Sequence, residues 1–214
     1  MFGNYKRIGI VCNDAGAANI IFYSIEKKDL DRFKFFLEGP ALKIFQSLFE
    51  NISSDNISST TFENLDAIYF GTGNSNYEKN ALKLAKSLKI NTTSIIDHWC
   101  NYYSRFNLNN ELILPNKIIV TDKFAYNKAR NIFKKVAIEI HSNKYLESQV
   151  RKIKVLTSSI KKRKEDKKNI LYICEPKIIK YKNLEINEMQ MLEKSLRFLS
   201  VFKDKIDNFL IRPH

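Results

Sequence analysis

The chain has 214 residues, of which 44% are hydrophobic, 12% aromatic and 28% charged, with a net charge of +13. That balance fills a core and excludes a disordered chain, and no apolar run approaches the roughly 20 residues of a membrane span. Lys6 and Arg7 precede an apolar stretch, Ile8–Cys12, that is too short for the core of a signal peptide, so the cytoplasm is the expected compartment.

Lys6–Cys12 reads as a buried strand, followed by a helix over Ala17–Lys28 that Asn13 or Asp14 would cap. Phe33–Leu37 is a second strand. Ala41–Glu50 is a short helix with Ala41, Ile44, Phe45 and Leu48 on one stripe. Asn51–Asn64, rich in Ser, Thr and Asn, reads as a loop. Ala67–Phe70 is a strand, Gly71-Thr72-Gly73 a turn, and Ser75 with Glu78 a capping-box pattern opening a helix to Leu88. Thr92–Ile96 is a β-branched strand, and Lys117–Val120 is another. Thr121 or Asp122 starts a helix through Phe133, Val136–Ile140 is a further strand, and a basic helix spans Lys144–Ser158. After the basic run Lys161–Lys168 the pattern restarts: a strand at Asn169–Cys174, a turn at Glu175-Pro176, a helix at Ile186–Phe202 and a strand at Phe209–Ile211.

Strands alternating with helices predict an α/β fold, a Rossmann-like parallel sheet with helices on both faces. The organisation expected is an N-terminal domain over 1–160, a basic linker over 161–168 and a partial α/β unit over 169–214. Two strands and one helix bury too little to stand alone, so this second unit would dock on the first sheet, be completed by a partner or, as the favoured expectation, be truncated.

Parallel sheets carry their sites at the carboxyl ends of the strands. Three junctions there concentrate the chemistry. Asn13-Asp14-Ala15-Gly16 offers a close-approach backbone and a helix amino terminus, with Asp14 able to accept from a sugar hydroxyl; a tight capped turn explains it equally well. Gly71-Thr72-Gly73-Asn74 has two glycines of a dinucleotide fingerprint, but Asn76 replaces the third, so it reads as a polar ligand loop rather than a nicotinamide site. Asp97-His98-Trp99-Cys100-Asn101-Tyr102-Tyr103-Ser104-Arg105 is the densest patch. His98 suits a general base because imidazole titrates near neutrality. Asp97 would orient it or bind substrate, Arg105 would hold a phosphate or carboxylate in two-pronged fashion, and Trp99 and Tyr102 would stack on a sugar face. The alternative is that Asp97 and His98 cap a turn while the aromatics pack a loop. Glu175, Arg212 and His214 occupy the equivalent strand ends of the second unit.

Cys12, Cys100 and Cys174 are odd in number and widely spaced, matching neither a zinc pattern nor a disulfide framework. No Walker loop, Gly-x-Ser-x-Gly elbow, His-Glu-x-x-His or Cys-x-x-Cys occurs. No carboxylate pair is spaced for Mg²⁺, so neither a metal nor a further cofactor is expected. The +13 charge favours nucleic acid, acidic lipid headgroups or phosphorylated small molecules. The densest basic run, Lys161–Lys168, lacks interleaved aromatics, which disfavours nucleic acid.

The segments Asn13-Asp14-Ala15-Gly16-Ala17-Ala18-Asn19, Gly39-Pro40-Ala41, Gly71-Thr72-Gly73, Asp97-His98-Trp99 and the closing Arg212-Pro213-His214 resemble, in this order, the two-Rossmann-domain (GT-B) glycosyltransferases. They also resemble the related UDP-N-acetylglucosamine 2-epimerase group, particularly members from surface-polysaccharide clusters. The resemblance implies an N-terminal domain that binds the acceptor and a C-terminal domain that grips a nucleotide sugar. The expected activity is therefore glycosyl transfer from a nucleotide-activated sugar to a polysaccharide or lipid-linked acceptor. His98 would act as base with Asp97 in support. Asn13, Asp14, Gly16, Gly71, Thr72, Gly73, Asn74, Trp99, Asn101, Tyr102 and Arg105 would lie toward the acceptor, and Glu175, Arg212 and His214 toward the donor phosphate. Basic faces suit peripheral association with an anionic membrane at its inner face. The rival readings are a sugar-nucleotide epimerase or hydrolase on the same fold, and a non-catalytic module for anionic ligands or nucleic acid.

Overall fold

The computed structural model describes residues 1–49, 52–158, 167–174, 179–181 and 184–213. The chain divides into two units, Met1–Thr157 and Ser158–His214.

In the first unit the elements in chain order are β1 (Ile8–Cys12), α1 (Ala15–Phe22), β2 (Phe33–Leu37), α2 (Gly39–Leu48), α3 (Ser59–Phe62), β3 (Ala67–Phe70), α4 (Tyr77–Ser87), β4 (Asn91–Ile95), the short strands β5 (Asn107–Leu108) and β6 (Glu111–Leu112), β7 (Lys117–Val120), α5 (Lys123–Ile132), β8 (Ala137–Ile140) and α6 (Lys144–Thr157). Six of the strands form one parallel sheet in the order β2-β1-β3-β4-β7-β8. The α/β class expected from the sequence is therefore present. Apolar side chains fill both faces, and every residue of β1 and β3 is buried, as a sheet covered on both sides requires. On one face Ile10, Leu37, Tyr69 and Ile119 meet Ala17 and Ile21 of α1 and Phe45 of α2. On the other, Val11, Phe36, Phe70, Ile96 and Ile118 meet Phe62 of α3, Ala81 and Leu82 of α4 and Ala129 of α5.

From β1 the chain goes to one side for β2 and crosses to the other for β3. That reversal makes the carboxyl ends of β1 and β3 the switch point, where doubly wound sheets bind ligands.

The second unit contains β9 (Lys168–Ile173), β10 (Ile179–Tyr181), β11 (Leu184–Ile186), α7 (Glu188–Ser200) and β12 (Ile206–Arg212). β9 pairs β12 in parallel, and β10 pairs β11 antiparallel. Among its residues whose burial is described, Cys174 and Leu192 are the buried ones. Most of the basic run, residues 161–166, lies outside the described residues.

Several boundaries differ from the expected ones, for local reasons. α1 ends at Phe22 and the chain continues as a 3₁₀ turn over Lys27–Arg32, not as helix to Lys28. α2 begins at Gly39 because Pro40 suits the first helical turn. The expected loop Asn51–Asn64 contains the one-turn helix α3, capped by Ser58 and Thr61. The Ser75–Glu78 pattern does not close into a capping box: Asn76 is the residue before α4, and the Ser75 hydroxyl accepts the Tyr77 N–H at 3.3 Å and donates to Glu78 Oε2 at 2.9 Å.

Candidate functional site

Glycines at the carboxyl rim let the loops close on one another. A Cβ on Gly16 would lie 1.8 Å from Asp97 Oδ2, so only glycine admits the Asp97 carboxylate against the amino end of α1. A Cβ on Gly73 would lie 2.9 Å from the Asp14 Cβ. The loops after β1, β3 and β4 are thereby in contact, and Asp14, Gly16, Gly73 and Asp97 converge.

Asp97 is held from its other side. Arg105 donates from Nη1 to Asp97 Oδ1 at 2.8 Å, to the Thr72 carbonyl at 2.7 Å and to Thr72 Oγ1 at 3.0 Å, and from Nε to the Cys100 carbonyl at 3.1 Å. Side-chain exposure is 9% for Arg105 and 17% for Asp97. Desolvation makes such a pair costly to break from one side only. The guanidinium expected to meet a phosphate or carboxylate therefore serves the protein: it fixes Asp97 and ties the 97–105 loop to Thr72, whose own hydroxyl donates to the Ile95 carbonyl at 2.7 Å. Asn101 closes this loop at φ 59°, its carbonyl accepting from the Arg105 N–H at 3.1 Å.

The neighbouring loop is pinned by a buried carboxylate. Glu78, on the first turn of α4, is 3% exposed. It accepts the Asn13 N–H at 2.9 Å through Oε1 and the Ser75 hydroxyl through Oε2. Asn13 in turn donates from Nδ2 to Glu38 at 3.0 Å. Below them burial, with the Glu78 charge beside it, pushes the Cys12 thiol well above its ordinary range, so Cys12 is a core group. Gly71 continues β3, its N–H reaching the Val11 carbonyl at 2.9 Å, and Asn74 is exposed at the tip of the loop.

His98 is exposed. Its Nδ1 lies 3.2 Å from the Cys100 thiol, so the imidazole meets Cys100 while the Asp97 carboxylate, expected to orient it, is bonded to Arg105. Trp99 is 53% exposed. Its indole N–H donates to Asp122 Oδ2 at 2.8 Å, its carbonyl accepts from Lys128 at 2.6 Å, and its ring meets Phe124 edge-on at 5.8 Å. Asp122 also caps α5 by accepting the Ala125 N–H at 2.8 Å. Burial acts to raise the Asp122 carboxyl, but the bonds from Ala125, Trp99 and Phe124 outweigh it and hold it below the ordinary range. Tyr102 is 3% exposed, and its hydroxyl donates to the Ala125 carbonyl at 3.3 Å. Burial pushes its phenol up. It packs in the core beneath the rim, where a sugar does not reach it, while Trp99 and Tyr103 present the exposed aromatic surface.

Arg212 ends β12, exposed, its carbonyl accepting the Cys174 N–H at 2.9 Å. Glu175 and His214 lie outside the described residues. Among the described residues no three His, Cys, Asp or Glu side chains converge to hold a metal ion, and no helix is long and apolar enough to cross a membrane.

Reading residues alone missed Glu78 as a clamp, because its spacing from Ser75 imitates a cap, and missed Glu38 and Lys128, which become neighbours of the site only through the sheet order; it also missed Cys100 as the neighbour of His98, although the two are close along the chain. No family model matches the chain, and no curated protein matches it.

Proposed function

We propose that the chain is a sugar-transfer protein of surface-polysaccharide synthesis, acting in the cytoplasm. In this reading the rim of the first unit holds the hydroxyl-bearing acceptor and His98 removes the proton of the attacking hydroxyl. The observation that supports it most is the fixed Asp97 carboxylate at the amino end of α1, beside Asp14. A carboxylate there repels the phosphate that a helix amino terminus would otherwise attract, yet accepts hydrogen bonds from hydroxyls. Polyols suit such a rim, and an exposed indole beside it suits a sugar face. The nucleotide-activated donor then belongs with the second unit, toward Glu175, Arg212 and His214.

The test is to incubate the chain with a panel of nucleotide sugars and saccharide or lipid-linked acceptors, following donor consumption and product. Transfer to an acceptor is expected, with His98→Ala lowering kcat by about 10²–10⁴-fold, the usual worth of a positioned base. No binding or consumption of any nucleotide sugar, or unchanged turnover in His98→Ala, would overturn the reading. Release of free sugar or an epimer without acceptor would assign a hydrolase or epimerase instead.

A further inference from the structure

Helix α6 carries an apolar face that is exposed among the described residues. Leu146, Val150, Ile153 and Leu156 recur at helical spacing on one side, and they are 57%, 42%, 58% and 73% exposed. None of the 14 residues of α6 is buried. The helix is anchored at its first turn, where the Tyr145 ring meets Tyr23 at 5.2 Å and Asn143 Oδ1 accepts the Leu146 N–H at 3.0 Å. Helical spacing puts Lys152 and Lys154 on the two borders of the apolar stripe and Lys144 and Arg151 behind it. Glu147 is the helix's single carboxylate.

We infer that α6 is a membrane-surface helix, lying on a bilayer that carries anionic lipid with Leu146, Val150, Ile153 and Leu156 inserted at the headgroup boundary. An apolar stripe bordered by lysines, with low acidic content, is the pattern of an interfacial helix rather than of a spanning one. Charge selects the occupant. A second copy would set Lys152 and Lys154 against the same cations of its partner, on a chain already at +13, whereas anionic headgroups neutralise them. The inference stands apart from the sugar-transfer reading, because it uses none of the rim residues and is measured without any substrate.

The experiment is flotation of the full chain with vesicles of phosphatidylcholine alone or with about one-third phosphatidylglycerol. Binding to the anionic vesicles only is expected. Lys152→Gln with Lys154→Gln should weaken it by about fivefold per cation removed, and Val150→Glu with Ile153→Glu by at least about tenfold. Lys134→Gln with Lys135→Gln, the same charge change on exposed residues outside α6, should lower binding by less than about twofold. Circular dichroism checks each variant's fold, and the lysine pair keeps the test decisive if the Val150 and Ile153 variant fails to fold. The inference is overturned by no flotation with anionic vesicles. It is overturned equally by binding that survives either α6 variant, or by a Lys134 and Lys135 control that loses as much as the α6 lysine pair. A concentration-dependent dimer abolished by the same α6 substitutions would also overturn it and assign the face to a second copy.

Discussion

Gly16→Ala tests the packing of the rim through a change of sign. Within α1 an alanine in place of glycine stabilises a helix by about 0.5–1 kcal/mol when nothing opposes it. Here the new Cβ falls 1.8 Å from Asp97 Oδ2, so the carboxylate must retreat by roughly 1.5 Å to reach ordinary contact. It cannot do so while Oδ1 is held at 2.8 Å by Arg105. Overpacking costs about 1–3 kcal/mol, and loosening the largely buried pair adds to it. After the helical gain is subtracted, a net loss of about 2–3 kcal/mol remains, a fall in Tm of roughly 4–12 °C for a chain of this size. In an Asp97→Ala background the carboxylate is gone and the nearest atom, the Cβ of residue 97, lies 3.3 Å away. Gly16→Ala should then be neutral or stabilising by up to about 1 kcal/mol, giving a coupling of about 2–4 kcal/mol between the two sites. Urea denaturation followed by circular dichroism measures all four corners of the cycle. A Gly16→Ala protein as stable as the parent, or an equal effect in both backgrounds, refutes the geometry.

Trp99 is the chain's only tryptophan and reports on Asp122. Because the Asp122 carboxyl is held below its ordinary value of 3.8, the indole bond and the α5 cap persist as pH falls and are lost only below that value. Trp99 emission should shift with a midpoint under 3.8, and Asp122→Ala should remove that transition and cost about 1 kcal/mol as a lost cap; a midpoint above that value contradicts the bond. Ser94, fully buried in β4, has a hydroxyl with no partner among the described residues, so Ser94→Ala should leave stability unchanged or raise it by up to about 1 kcal/mol, whereas a loss in urea denaturation would show that the hydroxyl is bonded. Lys89 follows α4 at φ 57°, with the Ile90 N–H closing back on the Ala85 carbonyl at 3.0 Å. Lys89→Gly should therefore raise stability by about 1 kcal/mol, and a lower Tm would count against this left-handed cap.

Sequence periodicity by itself determined the alternating order of strands and helices, and hence a parallel sheet with its strand-end loops at one rim. Apolar runs such as Ile8–Cys12 and Ala67–Phe70 have no other stable home than a sheet covered on both faces, and helix stripes such as Ala41, Ile44, Phe45 and Leu48 follow from a 3.6-residue repeat. Even the hairpin over Asn107–Leu112, which the reading passed over, was signalled by Asn109-Asn110, both of which take the positive φ of a tight turn. Only the tertiary structure decided what each polar side chain of the rim does. Asp97, His98, Cys100 and Arg105 are close along the chain, but their partners, Gly16 and Thr72, are distant in sequence and become neighbours through strand order. That order turns Arg105 onto Asp97, leaves His98 beside Cys100, and sends Tyr102 into the core while Trp99 stays outside. Local sequence cannot encode these outcomes, because each follows from which loops a parallel sheet sets side by side and from the cost of leaving a charge unpaired once they close.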